Sequence, residues 1–185
     1  MKTKYSTLLS TTKLALCGIL LSAPYAMAAG NESLNGSDEK FIKNCAVHDM
    51  EEMKLAELAV QKANHPDVKA YAERIVRDHT TSGASLAALA SIKGVELSGD
   101  TESGPTRTYR SLEKTPLTKF DKKFIDRMVR SHKDHVSNHE KASKHAEDDD
   151  VKAYANERLT TLRLHLEHAT NLSVLESELS ALVQQ

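Results

Sequence analysis

The sequence predicts an all-α domain in which four helices form two repeated hairpins. Four stretches of the 185-residue chain carry apolar residues three and four positions apart, the spacing of one helix face. A hexapeptide also recurs, because residues 67–72 (Asp-Val-Lys-Ala-Tyr-Ala) are repeated at 150–155. The composition, 39% hydrophobic and 28% charged with only 7 Gly and 4 Pro, is typical of one globular domain with high helix propensity.

The first 28 residues have the features of a cleavable signal peptide. Lys2 and Lys4 precede a short apolar run at 14–21, and residues 26–28 (Ala-Met-Ala) match the small-x-small cleavage pattern. The run is too short to cross about 30 Å of hydrocarbon. We therefore expect an exported, periplasmic protein with a flexible N-terminus over 29–37 and a single domain over 38–180.

Charge and aromatic content exclude nucleic acid as the main partner. Without the leader, 22 Lys and Arg face 26 Asp and Glu, since three of the 25 basic residues lie in the leader. A net negative charge disfavours phosphate backbones, and the six remaining aromatic residues are too few for a base-stacking platform. No later apolar run reaches membrane-spanning length, so we expect no membrane span.

The first hairpin is expected to contain helices over about 38–63 and 66–93. Ser37 is the expected N-cap of the first helix, Pro66 suits the first turn of the second, and Gly94 ends it. The expected inner faces are Phe41, Cys45, His48, Glu52, Ala56 and Ala59, then Val68, Ala72, Ile75, His79, Leu86 and Leu89.

The second hairpin is expected to contain helices over about 118–146 and 150–180. Thr118 and Asp121 resemble a capping box at the start of the third helix. The expected inner faces are Phe124, Met128, His132, His135 and His139, then Val151, Ala155, Leu159, Leu162, His165, Ala169 and Leu172.

Connection lengths constrain how these helices are arranged. Each hairpin turn has only a few residues, so its two helices lie antiparallel and adjacent. The long connection between helices 2 and 3, residues 94–117, can extend along a whole helix of about 40 Å. A ferritin-like bundle with a lengthwise crossover is therefore allowed, and an up-down-up-down arrangement is equally compatible with the sequence.

Four polar residues on the inner faces are expected to meet at one height. Glu52 and His79 lie 13 and 14 residues from the first turn, counted from residue 65, and His132 and His165 lie 16 and 17 residues from residue 148. Both helices of a hairpin rise about 1.5 Å per residue, so each pair is level and close to mid-helix. We therefore predict that one Glu and three His converge at the centre of the domain.

A cluster of this kind needs compensation, because an unpaired buried carboxylate or imidazole costs several kcal/mol. The groups either form a closed hydrogen-bond network or hold a divalent transition metal. The predicted ligands are Glu52, His79, His132 and His165. The repeat offset of 83 pairs His135 with Glu52, which makes it an additional or replacement ligand.

The remaining sulfur and imidazole groups have simpler interpretations. We interpret His48 as a boundary residue and His65 as a turn residue because neither shares the central height. Cys45 is expected to be a buried small hydrophobe rather than a reactive thiol. Met50 and Met53, expected at the surface, are interpreted as packing residues rather than copper ligands.

The assembled motifs resemble the bacterial family called domain of unknown function 4142. The matching segments, within residues 38–175, are 52–59, Asp67-Val-Lys-Ala-Tyr-Ala72, Ile75-Val-Arg-Asp-His79, Phe120-Asp121, Met128-Val-Arg-Ser-His132 and Leu162-Arg-Leu-His165-Leu166. The resemblance implies an exported, ferritin-like four-helix protein of a kind often labelled a predicted outer membrane protein. It implies no activity. Peripheral outer-membrane association is compatible with this location but is not decided by the sequence.

The sequence departs from the di-iron pattern of ferritin-like proteins, in which Glu-x-x-His motifs supply bridging carboxylates. Val76, Val129 and Leu162 stand three residues before the three histidines, so Zn, Cu or Ni is favoured over a di-iron centre. The leading hypothesis is a metal-binding protein. The alternative is a stress-related envelope interaction protein whose polar cluster only fixes helix register, either as a homo-oligomer or with an envelope partner.

Of the three functional hypotheses, an enzymatic function is the one that the sequence favours least. The sequence offers no recognisable Ser-His-Asp arrangement, Gly-rich phosphate loop or haem-attachment motif, and no organic cofactor is expected.

Overall fold

The computed structural model describes residues 34–97 and 106–182, with side chains described as far as residue 178. These ranges contain five helices and no strand, which confirms the all-α prediction. The helices are α1 (Gly36–Lys62), α2 (Pro66–Ile92), α3 (Arg107–Glu113), α4 (Leu117–His145) and α5 (Asp149–Leu182). The expected signal peptide lies outside the described residues.

The helix starts differ in detail from the expected caps. Asn35, not Ser37, caps α1, since its Oδ1 accepts hydrogen bonds from the Ser37 and Asp38 amides at 2.8 and 2.9 Å. Pro116 precedes α4 without a side-chain cap, so the capping box expected from Thr118 and Asp121 does not form. An Asn side chain satisfies free amides of the first turn as well as Ser does, and the spacing alone could not choose between them.

The boundaries of α2 follow the expected turn chemistry. Pro66 occupies the first turn, and His65 precedes it as a turn residue whose Nδ1 accepts a hydrogen bond from the Asp67 amide at 3.2 Å. Gly94 has φ of +66°, a conformation that glycine adopts without the penalty other residues incur.

Helix α3 was not expected within the long connection. The Oγ1 atom of Thr106 accepts a hydrogen bond from the Tyr109 amide at 3.1 Å and so caps the helix. Leu112 is buried against the core between α1 and α4. With seven residues, α3 is too short to show a helical period in the sequence.

Two aspartates near the starts of α1 and α4 accept hydrogen bonds from the turns between helices. Asp121 accepts hydrogen bonds from the amides of Asn64 and His65 at 3.1 and 2.7 Å, whereas Asp38 accepts from those of Glu147 and Asp148, both at 2.9 Å. The start of α4 therefore lies at the α1–α2 turn, and the start of α1 lies at the α4–α5 turn. Helices α1 and α4 consequently run in opposite directions.

The two sets of contacts are equivalent under the internal repeat. The offset of 83 relates Asp38 to Asp121, and it relates residues 64 and 65 to residues 147 and 148. Each repeat thus supplies the carboxylate that holds the turn of the other repeat. Both carboxylates are buried.

The core has two apolar clusters with a polar layer between them. One cluster, at the α1–α2 turn, includes Leu55, Leu58, Val68, Tyr71, Ile75, Leu112, Phe120, Phe124, Ile125, Met128, Ala169 and Leu172. The other, at the α4–α5 turn, includes Ile42, Cys45, Leu86, Leu89, Ala90, Val95, Ala146, Val151 and Tyr154. The buried histidines at 79, 132 and 165 occupy the helix positions between these clusters.

Candidate metal centre

The structure brings all five sequence-predicted residues together. Glu52 on α1, His79 on α2, His132 and His135 on α4 and His165 on α5 are each at most 4% exposed. The Glu52 carboxylate lies 3.2 Å from Nε2 of His79 and 3.6 Å from Nδ1 of both His132 and His135. The cluster therefore has the composition and the depth that the sequence predicts.

His132 and His165 face each other across the interface between α4 and α5. Nδ1 of His132 donates to the carbonyl of Met128 at 3.0 Å, and Nε2 of His165 donates to the Asp78 carboxylate at 2.8 Å. Because a carbonyl and an ionised carboxylate can only accept, these bonds assign the tautomer of each neutral ring. The remaining nitrogens, Nε2 of His132 and Nδ1 of His165, present lone pairs to each other at 3.2 Å.

His79 is oriented in the same way by a carboxylate that the sequence analysis missed. Its Nδ1 donates to Oδ1 of Asp49 at 3.0 Å, and Oδ2 of Asp49 accepts a hydrogen bond from Ser82 at 3.1 Å. The buried Nε2 of His79 has no hydrogen-bond partner of good geometry within the described ranges. It is therefore the nitrogen left for a ligand.

The three histidines form a compact donor group. One ring nitrogen of each lies within 4.8 Å of those of the other two. Two nitrogens bound to one tetrahedral metal at 2.0–2.1 Å would be roughly 3.3 Å apart. The 3.2 Å separation between His132 and His165 already matches that spacing.

Glu52 lies beside this group and is itself short of hydrogen bonds. Among the described residues neither of its buried oxygens has a hydrogen-bond partner of good geometry. Burial alone would raise the pKa of Glu52, but electrostatic attraction to the imidazoles of His132, His135 and His79, together with the Ser131 hydroxyl, lowers it below its usual value. Glu52 is consequently an ionised carboxylate beside three imidazoles.

Two of the three histidines are held neutral. Burial lowers the pKa of His165 to about 4, more strongly than the hydrogen bond to Asp78 raises it. Burial also lowers the pKa of His132, despite the nearby charge of Glu52. His79 differs, because the hydrogen bond and charge of Asp49 overcome burial and raise its pKa.

The carboxylates near the cluster have positive partners within the protein. Burial disfavours the charged form of Asp49, yet its hydrogen bond with His79 and the nearby charge of Arg158 bring its pKa below the usual value. Burial raises the pKa of Asp78 less than its interactions with His165 and Arg74 lower it, and Nε of Arg74 lies 3.3 Å from the carboxylate. Asp49 and Asp78 are therefore charge-paired, and Glu52 is the carboxylate that lies among imidazoles.

Asp49, Asp78 and Ser82 are the site residues that sequence reasoning missed. The offset of 83, applied to His132 and His165, leads to Asp49 and Ser82 and could have found them. Asp78 directly precedes His79 on α2, but its carboxylate turns toward α5. Only the packing of α2 on α5 reveals that role.

The other singled-out residues lie at the edge of the cluster. The His48 ring contacts that of His135 with a centroid distance of 4.9 Å, so His48 is a half-buried boundary residue, as expected. Met50 and Met53 are half-buried rather than exposed at the surface. They line a cavity of about 310 Å³ between α1 and α2 that extends to Asp49 and His79.

Comparison with known proteins gives a family and a fold. The model of a family described as a domain of unknown function, DUF4142, matches residues 23–172. No curated protein matches. A DUF305 fragment from Deinococcus radiodurans is similar in structure, with a TM-score of 0.66 and 15% identity over 76% of this chain and 97% of that chain.

A copper-bound protein has a similar structure. CopM in its Cu(I)-bound form has a TM-score of 0.61 and 20% identity, covering 72% of this chain and 93% of CopM. The Cu(II)-bound form gives 0.62 and 20% identity over 74% and 95%. At these identities the likeness concerns the fold. Across residues 34–97 and 106–182, none of the helices is both long and apolar enough for a membrane span.

Proposed function

The chain belongs to the DUF4142 family, and we propose that it binds a transition metal ion at the centre of its helices. The ligands are His79, His132 and His165, with Glu52 as the fourth and His135 as an additional or replacement ligand. The function is capture or buffering of the ion rather than catalysis.

The main support for this proposal is that His132 and His165 each direct the lone pair of a ring nitrogen at the other ring. Two neutral imidazoles that point lone pairs at each other at 3.2 Å repel unless a proton or a cation lies between them. The pKa of each ring is lowered, which disfavours the proton. A metal ion relieves the repulsion and gains both donors.

The groups around the ligands also fit a metal site. Metal-binding histidines commonly donate their other ring nitrogen to a carboxylate or a carbonyl, which fixes the ring and raises its basicity. Asp49, Asp78 and the Met128 carbonyl supply these acceptors to His79, His165 and His132, respectively. These acceptors fix the orientation of each ring, and the three nitrogens, which lie within 4.8 Å of one another, would draw together to about 3.3 Å on one tetrahedral ion.

The donor set favours zinc, copper or nickel over iron. Imidazole suits all three metals, and the single carboxylate, Glu52, provides no second bridge for a di-iron centre. Copper gains support from the fold shared with CopM, which was solved in Cu(I)- and Cu(II)-bound forms. Bound metal would supply positive charge beside Glu52.

The proposal extends to the arrangement of the helices and to the compartment. The two aspartate-bound turns support a ferritin-like bundle in which α1 and α4 run in opposite directions. Residues 1–28 support export through a cleavable signal peptide and a periplasmic location, with peripheral outer-membrane association as one form of it. A periplasmic protein would meet metal ions directly as they enter the cell envelope.

The direct test is metal titration of the purified protein against a double variant. The protein should take up Zn²⁺ and Cu²⁺ with one tight site that is lost in His79→Ala/His132→Ala. His168→Ala is the control, because this half-buried ring contacts Tyr71 outside the cluster. Circular dichroism establishes that each variant is folded. Equal uptake by the double variant and the control would refute the proposal.

A structural role is the second candidate, and a specific observation favours it. The Asp49–His79 and Asp78–His165 hydrogen bonds each join two helices and would fix helix register without any metal. This role, as a homo-oligomer or with an envelope partner, predicts a Tm that neither metal nor chelator changes. Tight binding to the folded state alone would raise the Tm.

A further inference from the structure

A second group of potential ligands lies in a cleft between α1 and α4, beside the central cluster. The cleft has a volume of about 240 Å³ and opens to solvent. Its walls include Cys45 and His48 from α1 and His135 and His139 from α4. Thiolate and imidazole are the protein groups that bind zinc and copper(I) best.

Cys45 and His139 are already arranged as a donor pair. Nδ1 of His139 donates to the carbonyl of His135 at 2.9 Å, which leaves Nε2 with a lone pair. That nitrogen lies 3.8 Å from Sγ of Cys45. A sulfur and a nitrogen bound to one tetrahedral zinc would be about 3.5 Å apart, so a small movement closes the pair on an ion.

His135 provides an unpartnered donor on the same wall. It is 4% exposed, and neither of its ring nitrogens has a hydrogen-bond partner in the described part of the chain. His48 packs against it and is more accessible to solvent. The cleft therefore places the Cys45 sulfur and the imidazoles of His48, His135 and His139 on facing walls. The Cys45–His139 pair is the close one, and a third ligand would have to move toward it, because the described residues hold no closer three-ligand group here.

We propose that this cleft is a second metal-binding position, in which Cys45 and His139 bind a zinc or copper(I) ion and His135 or His48 completes the coordination. Binding converts the Cys45 thiol to a thiolate, and the released proton goes to solvent. His135 lies between the two positions, because its Nδ1 is also 3.6 Å from Glu52. Cys45, His139 and His48 are not ligands of the central ion, so the cleft position can be filled without it.

Cobalt(II), a spectroscopic probe for zinc sites, tests this proposal. The full chain is used with Cys17→Ser, which leaves Cys45 as its single thiol. We expect a thiolate-to-cobalt charge-transfer band that is lost in Cys45→Ser and in His139→Gln. The same band should persist in His79→Ala/His132→Ala, where the central site is lost. Zn²⁺ should also slow the reaction of Cys45 with a thiol reagent.

The outcomes separate the two sites. Loss of the central site with a retained thiolate band supports the cleft position, and so does a thiolate band in a protein that fails the central test. Absence of the band, together with thiol reactivity unchanged by Zn²⁺, overturns the proposal. A band that disappears with His79 and His132 also overturns it, because cobalt would then occupy a single shared site. If Cys45→Ser does not fold, His139→Gln provides the comparison.

Discussion

Nε2 of His132 lies 3.2 Å from Nδ1 of His165, and the other nitrogen of each ring donates to an oxygen. This relationship joins α4 to α5 at the level where the two apolar clusters of the core are interrupted. An apolar pair at these positions would pack without repulsion. The His132–His165 pair is the geometry on which the proposed metal site rests.

The carboxylates behind the histidines should control metal affinity without touching the metal. Asp49→Asn and Asp78→Asn keep the side-chain shape but weaken the orientation and basicity of His79 and His165. We expect each to lower affinity about 10–100-fold. Competition titration with a chromophoric chelator measures the effect, and exposed Asp134→Asn is the control. Affinities equal to that of the control would contradict the assignment.

Metal affinity should fall as the pH decreases. The pKa of His79 is raised above its usual value by Asp49, so below that pKa the metal must displace a proton from the ring. One displaced proton corresponds to about a tenfold loss of affinity per pH unit. Titrations between pH 8 and 5 measure the slope. A constant affinity across this range would show that His79 is not a ligand.

Mild acid should destabilise the metal-free protein. Burial lowers the pKa of His139 and of His165 to about 4, so the folded state excludes protons that the unfolded chain accepts near pH 6.5. The contribution of each neutral ring to the free energy of unfolding is therefore fully present above about pH 6.5. It is lost as the pH falls to about 4, by about 3 kcal/mol for each ring. His79, with its raised pKa, contributes in the opposite direction and loses its contribution as the pH rises through that pKa.

Urea unfolding at several pH values checks this prediction. His139→Phe keeps an aromatic ring that cannot titrate, so the loss between pH 6.5 and 4 should shrink by about 3 kcal/mol. An identical pH dependence in the variant and the original protein would contradict it.

The two turn-binding aspartates should have similar energetic effects. Asp38→Ala and Asp121→Ala each leave two amides of the opposite turn without their acceptor. Each should lower the free energy of unfolding by about 1–3 kcal/mol, as expected for buried donors left unpaired. Chemical denaturation measures the loss, with exposed Asp134→Ala as the reference. Losses no larger than the reference would refute this role.

The central cluster could be predicted because helix geometry is regular. Counting residues from each turn gives the height of a side chain, and neither the topology nor the packing angle changes it much. His79, His132 and His165 therefore converge as the sequence predicts, and Glu52 lies beside them, 3.2 Å from Nε2 of His79. Their role as metal ligands stays a prediction.

The burial of Asp49 could not be predicted from the sequence. Residues 41, 45, 48 and 52 and residues 42, 45, 49 and 52 both follow the helical spacing of three and four. The sequence analysis chose the first set, but Ile42 and Asp49 are buried whereas Phe41 and His48 are only partly buried. Which of these two faces of α1 is buried depends on how the helix packs against α2 and α4, and the spacing of apolar residues does not determine that packing.

The direction of the second hairpin also required the structure. A connection over 94–117 reaches either end of a helix, so its length allowed both topologies. The hydrogen bonds of Asp38 and Asp121 join residues that are far apart in the sequence, and these bonds show which ends meet. Helix α3 is similar, since the core contact of Leu112 stabilises a segment too short to be recognised.

Anomalous diffraction from crystals grown with Zn²⁺ tests the central claim most directly. Data collected on both sides of the zinc absorption edge locate the ion without reference to activity. The account predicts a strong peak about 2.0–2.1 Å from one ring nitrogen each of His79, His132 and His165. Fully occupied zinc elsewhere, with His132 and His165 still 3.2 Å apart and no peak between them, would contradict it.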